Sequence, residues 1–388
     1  MKTESLPHFT IKKKSQKSSV DFSVVLAEPI LKDICKQVTG SDDYSVEFDD
    51  KGYNIGRLAI LEYDNSKAYI SFSDPEAKGR NSSFQSVPSA LSRYILDKSK
   101  NKRMFFYLLP SEGNVETNYF LFMYRLMKSA GIDFLNDQDV LNQQVQPFTT
   151  VEDIIAARNI NRGQNKSNNS TFVTKSTEYT PQIYGKMYGA NKYETTLLGV
   201  ALSNLSTQVE IYQILEGNLK VLPETSRIAL NSLGNVKLFA TDLKMEKNQF
   251  EQPDNLRSPL YIYNLLDKLG PKKCALCDCE IPELVQGAHI WPVSAIKKVE
   301  SETLDRKLEW ATDGDNGLWL CENHHKLLDT NLIGISEFGE IQFLANMKQN
   351  DKRYIEITTT NKSLPDDVLT PGFIGYLRKR YELSAGIG

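Results

Sequence analysis

Histidine is scarce in this chain, with four among 388 residues. Long apolar runs are missing: no stretch approaches the roughly 18 residues that cross a bilayer. A helical membrane protein is thereby set aside, and no membrane partner is expected. The N-terminus, MKTESLPHFTIKKKSQKSS, is polar and lacks an apolar h-region, so no secretory signal is expected and the cytoplasm is the default location. Excess charge is missing too. With 46 basic and 49 acidic residues the net charge is −3, which neither demands nor forbids nucleic acid. A basic groove can sit on a near-neutral chain. Basic clusters occur at Lys12 to Lys14, Lys98 to Arg103, Lys272-Lys273, Lys297-Lys298 and Arg378 to Arg380, and each alone reads as a solvated face. Cysteine is sparse and uneven: of five, Cys35 stands alone while Cys274, Cys277, Cys279 and Cys321 cluster. Without a secretion signal, cysteines clustered with histidines point to metal before disulfides.

The length predicts two or three domains, and 40% hydrophobic with 24% charged residues is ordinary globular composition. The first 150 or so residues read as mixed α/β. RLAILEY (57–63) and AYISFS (68–73) alternate like strands around a DNSK turn. FQSVPSALSRYILDKS reads as a helix, RMFFYLLP as a buried strand, and ETNYFLFMYRLMKSAG as a helix stopped by Gly131. Thr150 is a candidate N-cap for TVEDIIAARNI. NRGQNKSNNS (161–170) and EKNQFEQPDNLRSP (246–259) read as linkers. Between them, YGKMYGAN reads as a loop before a helix starting near Asn191, and QVEIYQILEG (208–217) as a strand. LYIYNLLDKLG then predicts a short helix leading into the cysteines.

Cys274-x-x-Cys277 can place two sulfurs on one Zn²⁺ from a tight turn. Cys321 and His324 are spaced i, i+3 and share a helix face. The four complete a closed tetrahedral Cys3His set, which is structural chemistry and is preferred here to reduced cysteines without metal. Cys279 could replace Cys277, through the looser Cys-x4-Cys turn. His325 is rotated by about 100° from His324 around the helix, so it faces a different space. Upstream lie GAHIWPVS with His289 and DGDNGLWLC with Asn316.

CALC, AHIWP, NGLWLC, HKLLD and then LIGISEFGEIQFL agree in type, order and spacing with one pattern. The segment from Cys274 to about Leu344 resembles the HNH nucleases of the ββα-metal (His-Me finger) class. The resemblance implies double-stranded DNA as partner, structural Zn²⁺ on Cys274, Cys277, Cys321 and His324, and Mg²⁺ or another divalent ion for catalysis. It implies His289 as general base, a role suited to an imidazole titrating near neutral pH. It implies Asn316 as the residue holding the His289 ring or its loop, and His325 as ligand of the catalytic ion. Many HNH enzymes carry Asp or His just before the first motif histidine, where this chain has Ala288. A further oxygen ligand is sought among Asn316, Asp315 and Asp313. Asp329, i+4 from His325, reads equally as a carboxylate orienting that ring or as a solvated helix end. Trp291, Trp310 and Trp319 read as core.

The expected class is α+β: a large mixed α/β N-terminal region followed by a small zinc-stabilised ββα-metal nuclease domain. The expected partition is 1–160 and 171–250 for DNA recognition or packing, and 260–388 for the nuclease. YGKMYGANKYETT and RNINRGQNKSNN are rich in groove-reading side chains. This layout looks like a type II restriction endonuclease, compatible with a homodimer and with a cognate DNA methyltransferase. The alternatives are a ligand-activated or nonspecific defence nuclease, and a zinc-containing DNA-binding protein with a dead site. A second catalytic centre on Glu194 and Glu210 is a further, remote reading.

Overall fold

A computed structural model describes residues 10–385 apart from 13–18, 22–27, 50, 52–53, 55–56, 74–85, 110–117, 165–171, 176–179, 188–190, 216, 218, 220, 253–257 and 344–346. After a short pair, β1 (Thr10–Lys12) and β2 (Ser19–Asp21), helix α1 (Glu28–Thr39) leads into a five-stranded sheet. Its strands β3 (Ser45–Phe48), β4 (Leu58–Tyr63), β5 (Ser66–Phe72), β6 (Lys102–Tyr107) and β7 (Ile132–Phe134) lie in sequence order. The first three run antiparallel and the last three parallel. Asp64 and Asn65 turn between β4 and β5 at φ 42° and 59°, the left-handed pair that a two-residue hairpin requires. Both faces are covered, so the strands read as nearly continuous apolar runs. Leu58, Ile60 and Tyr69 enter one core, whereas Ala59, Leu61 and Ile70 face Leu31, Ile34 and Cys35 of α1.

Helices α2 (Ser86–Leu96), α3 (Asn118–Ser129) and α5 (Val151–Gln164) follow the expected pattern, and a short helix α4 (Asp137–Leu141) is added between the last two. Gly131 leaves α3 at φ 85°, and Thr150 Oγ1 accepts the Asp153 N–H at 3.1 Å, capping α5. The helix takes in the first four residues of the predicted 161–170 linker. A second sheet carries β8 (Phe172–Lys175), β9 (Gln182–Lys186), β10 (Val209–Leu215) and β11 (Val236–Asp242) in the order β11-β10-β9-β8. Its last three strands are parallel, joined through α6 (Asn191–Leu205) and α7 (Glu224–Ser232). Tyr184, Gly185 and Lys186 therefore belong to a strand, where a loop was expected. One apolar core runs from Leu58 through Met127 to Val236, so the segments on either side of residues 165–171 share it.

The other face of the second sheet carries the C-terminal part, with Tyr184 and Ile214 joining its core. Residues 246–251, read as the start of a linker, instead belong to helix α8 (Leu243–Glu251), capped by Asp242. Polar letters hid one inward face there, Glu246 and Phe250 at i, i+4. Helix α9 (Pro259–Leu269), with Ser258 as N-cap, packs on β8, β9 and β10. Then come β12 (Val285–His289), α10 (Val293–Lys297), α11 (Leu304–Thr312), a 3-10 turn over Gly314–Asn316, β13 (Gly317–Cys321) and α12 (Glu322–Asp329). Strands β12 and β13 are antiparallel, and with α12 they make a ββα unit. The hairpin β14 (Ile333–Ile335) and β15 (Ile341–Phe343) follows, then α13 (Gln349–Thr358) and α14 (Pro371–Ala385). Gly287 and Gly317 are needed for close approach: a Cβ on Gly287 would stand 2.6 Å from Leu265 of α9, and one on Gly317 would strike the Tyr261 hydroxyl. Among the described residues, no helix is long and apolar enough to cross a membrane.

Candidate metal centre and active site

The tight turn before β12 and the start of α12 bring together four soft donors. The ligand atoms of Cys274, Cys277, Cys321 and His324 all lie within 4.8 Å of one another, the only such group among the described residues. His324 Nδ1 stands 3.1 Å from Cys321 Sγ and 3.6 Å from Cys274 Sγ, and the Cys277 and Cys321 sulfurs are 3.9 Å apart. A tetrahedral Zn²⁺ spaces its donors by about 3.5–3.8 Å, given Zn–S of about 2.3 Å, so the donor set fits zinc. Burial pushes the Cys277 thiol pKa up, and the adjoining Cys274 sulfur adds to the shift. A divalent cation among the sulfurs favours the thiolates instead. Cys279 stays outside the group; its carbonyl accepts the Cys274 N–H at 2.9 Å and closes the turn. On its far side His324 meets Thr359 Oγ1 at 3.1 Å through Nε2, the kind of outer contact that fixes a ligating ring.

His325 turns away from this cluster. Its Nε2 lies 3.4 Å from Asp329 Oδ2, one helical turn on. Of the two readings of Asp329, the contact with the ring is the one found, although the carboxylate is also 48% exposed. His289 ends β12 opposite Gly317. Its Nε2 is 2.9 Å from the Ala311 carbonyl, and its ring lies flat on Tyr261, centroids 3.9 Å apart and planes 12° from parallel. A carbonyl can only accept, so Nε2 carries the proton of the neutral ring and the lone pair is on Nδ1. His289, Tyr261, Thr312, His325, Asp329 and Glu246 all line one cleft of about 280 Å³.

Asn316 is fully buried and spends its amide on backbone. Oδ1 accepts the Trp291 N–H at 2.7 Å, and Nδ2 donates to the Trp291 carbonyl at 3.1 Å and the Trp310 carbonyl at 3.0 Å. It holds the chain just after His289, not the ring, and its amide is not placed as a metal ligand. Asp313 and Asp315 also point elsewhere. Asp313 accepts the Tyr376 hydroxyl at 2.8 Å; Asp315 accepts Thr370 Oγ1 at 2.8 Å and the Lys268 ammonium. Neither lines the cleft. Tyr261, Glu246 and Thr359 were not anticipated, because each reaches the site from a remote element and no local pattern marks it. The remote reading of Glu194 and Glu210 finds no metal-type cluster among the described residues: Glu194 bonds Tyr119 at 2.5 Å and Glu210 bonds Tyr212 at 3.0 Å.

Residues 274–336 match the family model described as HNH endonuclease. That segment is similar to an HNH endonuclease domain. The matched span covers the zinc-type cluster, both strands of the ββα unit, and α12. The HNH domain supports metal-dependent nuclease activity with DNA as substrate, and enzymes of this kind use divalent metals. The comparison with curated proteins gives no match.

Proposed function

We propose that this chain is a metal-dependent DNA endonuclease, and that it acts as a sequence-specific type II restriction enzyme. The observation that carries the nuclease reading is His289, whose Nε2 is tied to the Ala311 carbonyl in the same cleft as His325. In this reading His289 Nδ1 takes the proton from the attacking water. Tyr261 and the Ala311 carbonyl hold the ring in one plane and one tautomer, so little reorientation is required in the reaction. Asn316 fixes the loop after His289. His325, oriented by Asp329, would hold the catalytic Mg²⁺ or related ion, which would supply Lewis-acid neutralisation of phosphate and leaving-group charge. The residues fit that role: an imidazole with an outer carboxylate, beside a buried glutamate oxygen that has no protein partner. Cys274, Cys277, Cys321 and His324 hold the structural zinc, and residues 260–388 form the catalytic unit.

What supports a reading domain is the size of the α/β region packed on the HNH domain through the second sheet. Within YGKMYGANKYETT, Tyr184, Tyr193, Glu194, Thr195 and Thr196 are buried, so those five side chains do not face a groove. Residues 165–169 of the other candidate stretch, RNINRGQNKSNN, lie outside the described residues. Incubation with supercoiled plasmid and Mg²⁺ or Mn²⁺ tests the proposal. Discrete fragments that vanish with EDTA are expected. A smear would overturn sequence specificity in favour of a nonspecific or ligand-released effector. DNA binding with intact plasmid under every metal would overturn the enzyme reading.

A further inference from the structure

The cleft contains a carboxylate from outside the matched HNH segment. Glu246 sits on α8, is 1% exposed, and shares the cleft wall with His289, His325 and Asp329. Its Oε1 accepts Thr241 Oγ1 at 2.9 Å, whereas Oε2 is buried with no hydrogen-bond partner. A buried carboxylate oxygen without a partner is costly unless a cation completes it. No lysine or arginine lines the cleft, so that cation is not built into its walls. The other acidic candidates are committed. Asp313 and Asp315 bond α9 and α14, and Ala288, buried in β12, offers no donor at all. Asp329 is paired with His325.

We infer that Glu246 is the acidic ligand of the divalent ion held at His325, reached directly or through one of the ion's waters. This rests on reading the cleft as the nuclease site. Hard divalent ions prefer carboxylate oxygen and keep several waters, so a carboxylate lining the same cleft need not touch His325 to share an ion with it. The three torsions of the glutamate let it swing from Thr241 into the cleft. The HNH motif is then incomplete alone, and α8, which follows directly from β11 and is capped by Asp242, completes it. A shift of the second sheet would move this ligand, which couples the α/β region to the metal.

The test is Mn²⁺ binding by electron paramagnetic resonance on the full chain carrying His289→Ala, so that a short DNA duplex added to it stays intact. Mn²⁺ bound by the duplex alone is subtracted. The parent is expected to bind one Mn²⁺ beside its zinc. Glu246→Gln should weaken Mn²⁺ at least tenfold with zinc content and melting temperature unchanged. Should Glu246→Gln not fold, Glu246→Asp, which shortens the reach by one methylene, should show a smaller loss. If the glutamate variants bind Mn²⁺ as the parent does while His325→Ala loses it, the role of Glu246 is overturned and the cleft reading stands. If His325→Ala also binds as the parent, or the parent binds none, the cleft reading falls and this inference with it.

Discussion

His324 and His325 are adjacent in the chain and belong to different sites. His324 Nδ1 lies 3.1 Å from Cys321 Sγ inside the sulfur cluster, while His325 Nε2 lies 3.4 Å from Asp329 on the cleft wall. The turn of about 100° between successive helical residues separates them. Helix α12 therefore ties whatever stabilises the cluster to the position of the cleft imidazole.

Removing one sulfur tests that coupling. Structural zinc contributes about 10–16 kcal/mol of folding free energy in small zinc domains, comparable to or above the roughly 5–15 kcal/mol stability of a whole domain. Cys321→Ala should lose the metal and unfold the C-terminal part. Metal content by mass spectrometry and amide hydrogen exchange over residues 274–336 check this. A variant that keeps its zinc and its protection would show that the four donors are not a zinc site.

Thr359 offers a milder perturbation. Its hydroxyl meets His324 Nε2 at 3.1 Å, far in sequence from the ligands. Outer partners of this kind typically change metal affinity by about 10–100-fold. Thr359→Val should weaken zinc by that order, read by competition with a chromophoric chelator, with the fold retained when zinc is in excess.

Tyr261 should matter for rate more than for metal. Its ring lies 3.9 Å from that of His289, and it comes from α9, before the matched segment. Tyr261→Phe keeps the stack and should cleave at nearly the parental rate. Tyr261→Leu frees the imidazole and should lose about tenfold or more, as a misplaced catalytic group does, with zinc content unchanged. Equal rates for the two variants would remove the ring from any positioning role.

The parts legible in the sequence were those fixed by local geometry. Cys-x-x-Cys and Cys-x-x-His spacing specified the four donors, and the rotation between His324 and His325 separated two sites. The Asp64-Asn65 hairpin and the Thr150 cap were local as well. What stayed hidden came from long-range packing. The run Arg378 to Arg380 reads as a solvated face, and Arg378 is one, paired with Glu337 on the surface. Lys379 instead lies over the rings of Trp291 and Trp310, 4.4 and 3.9 Å from their centroids. Arg380 is 4% exposed and binds the Ile290 carbonyl at 2.9 Å and Asn331 Oδ1 at 3.0 Å, fastening α14 to the ends of β12 and α12. Likewise Glu246 sat in a stretch read as linker, because its only apolar neighbour on the inward face is Phe250, too few positions to show a helical period.

The central claim is that His289 is the base of a nuclease site, and one substitution tests it most directly. His289→Ala, assayed on supercoiled plasmid with Mg²⁺ or Mn²⁺ beside the parent, should abolish cleavage while zinc content, melting temperature and DNA binding remain. Cleavage by His289→Ala at the parental rate would contradict the account.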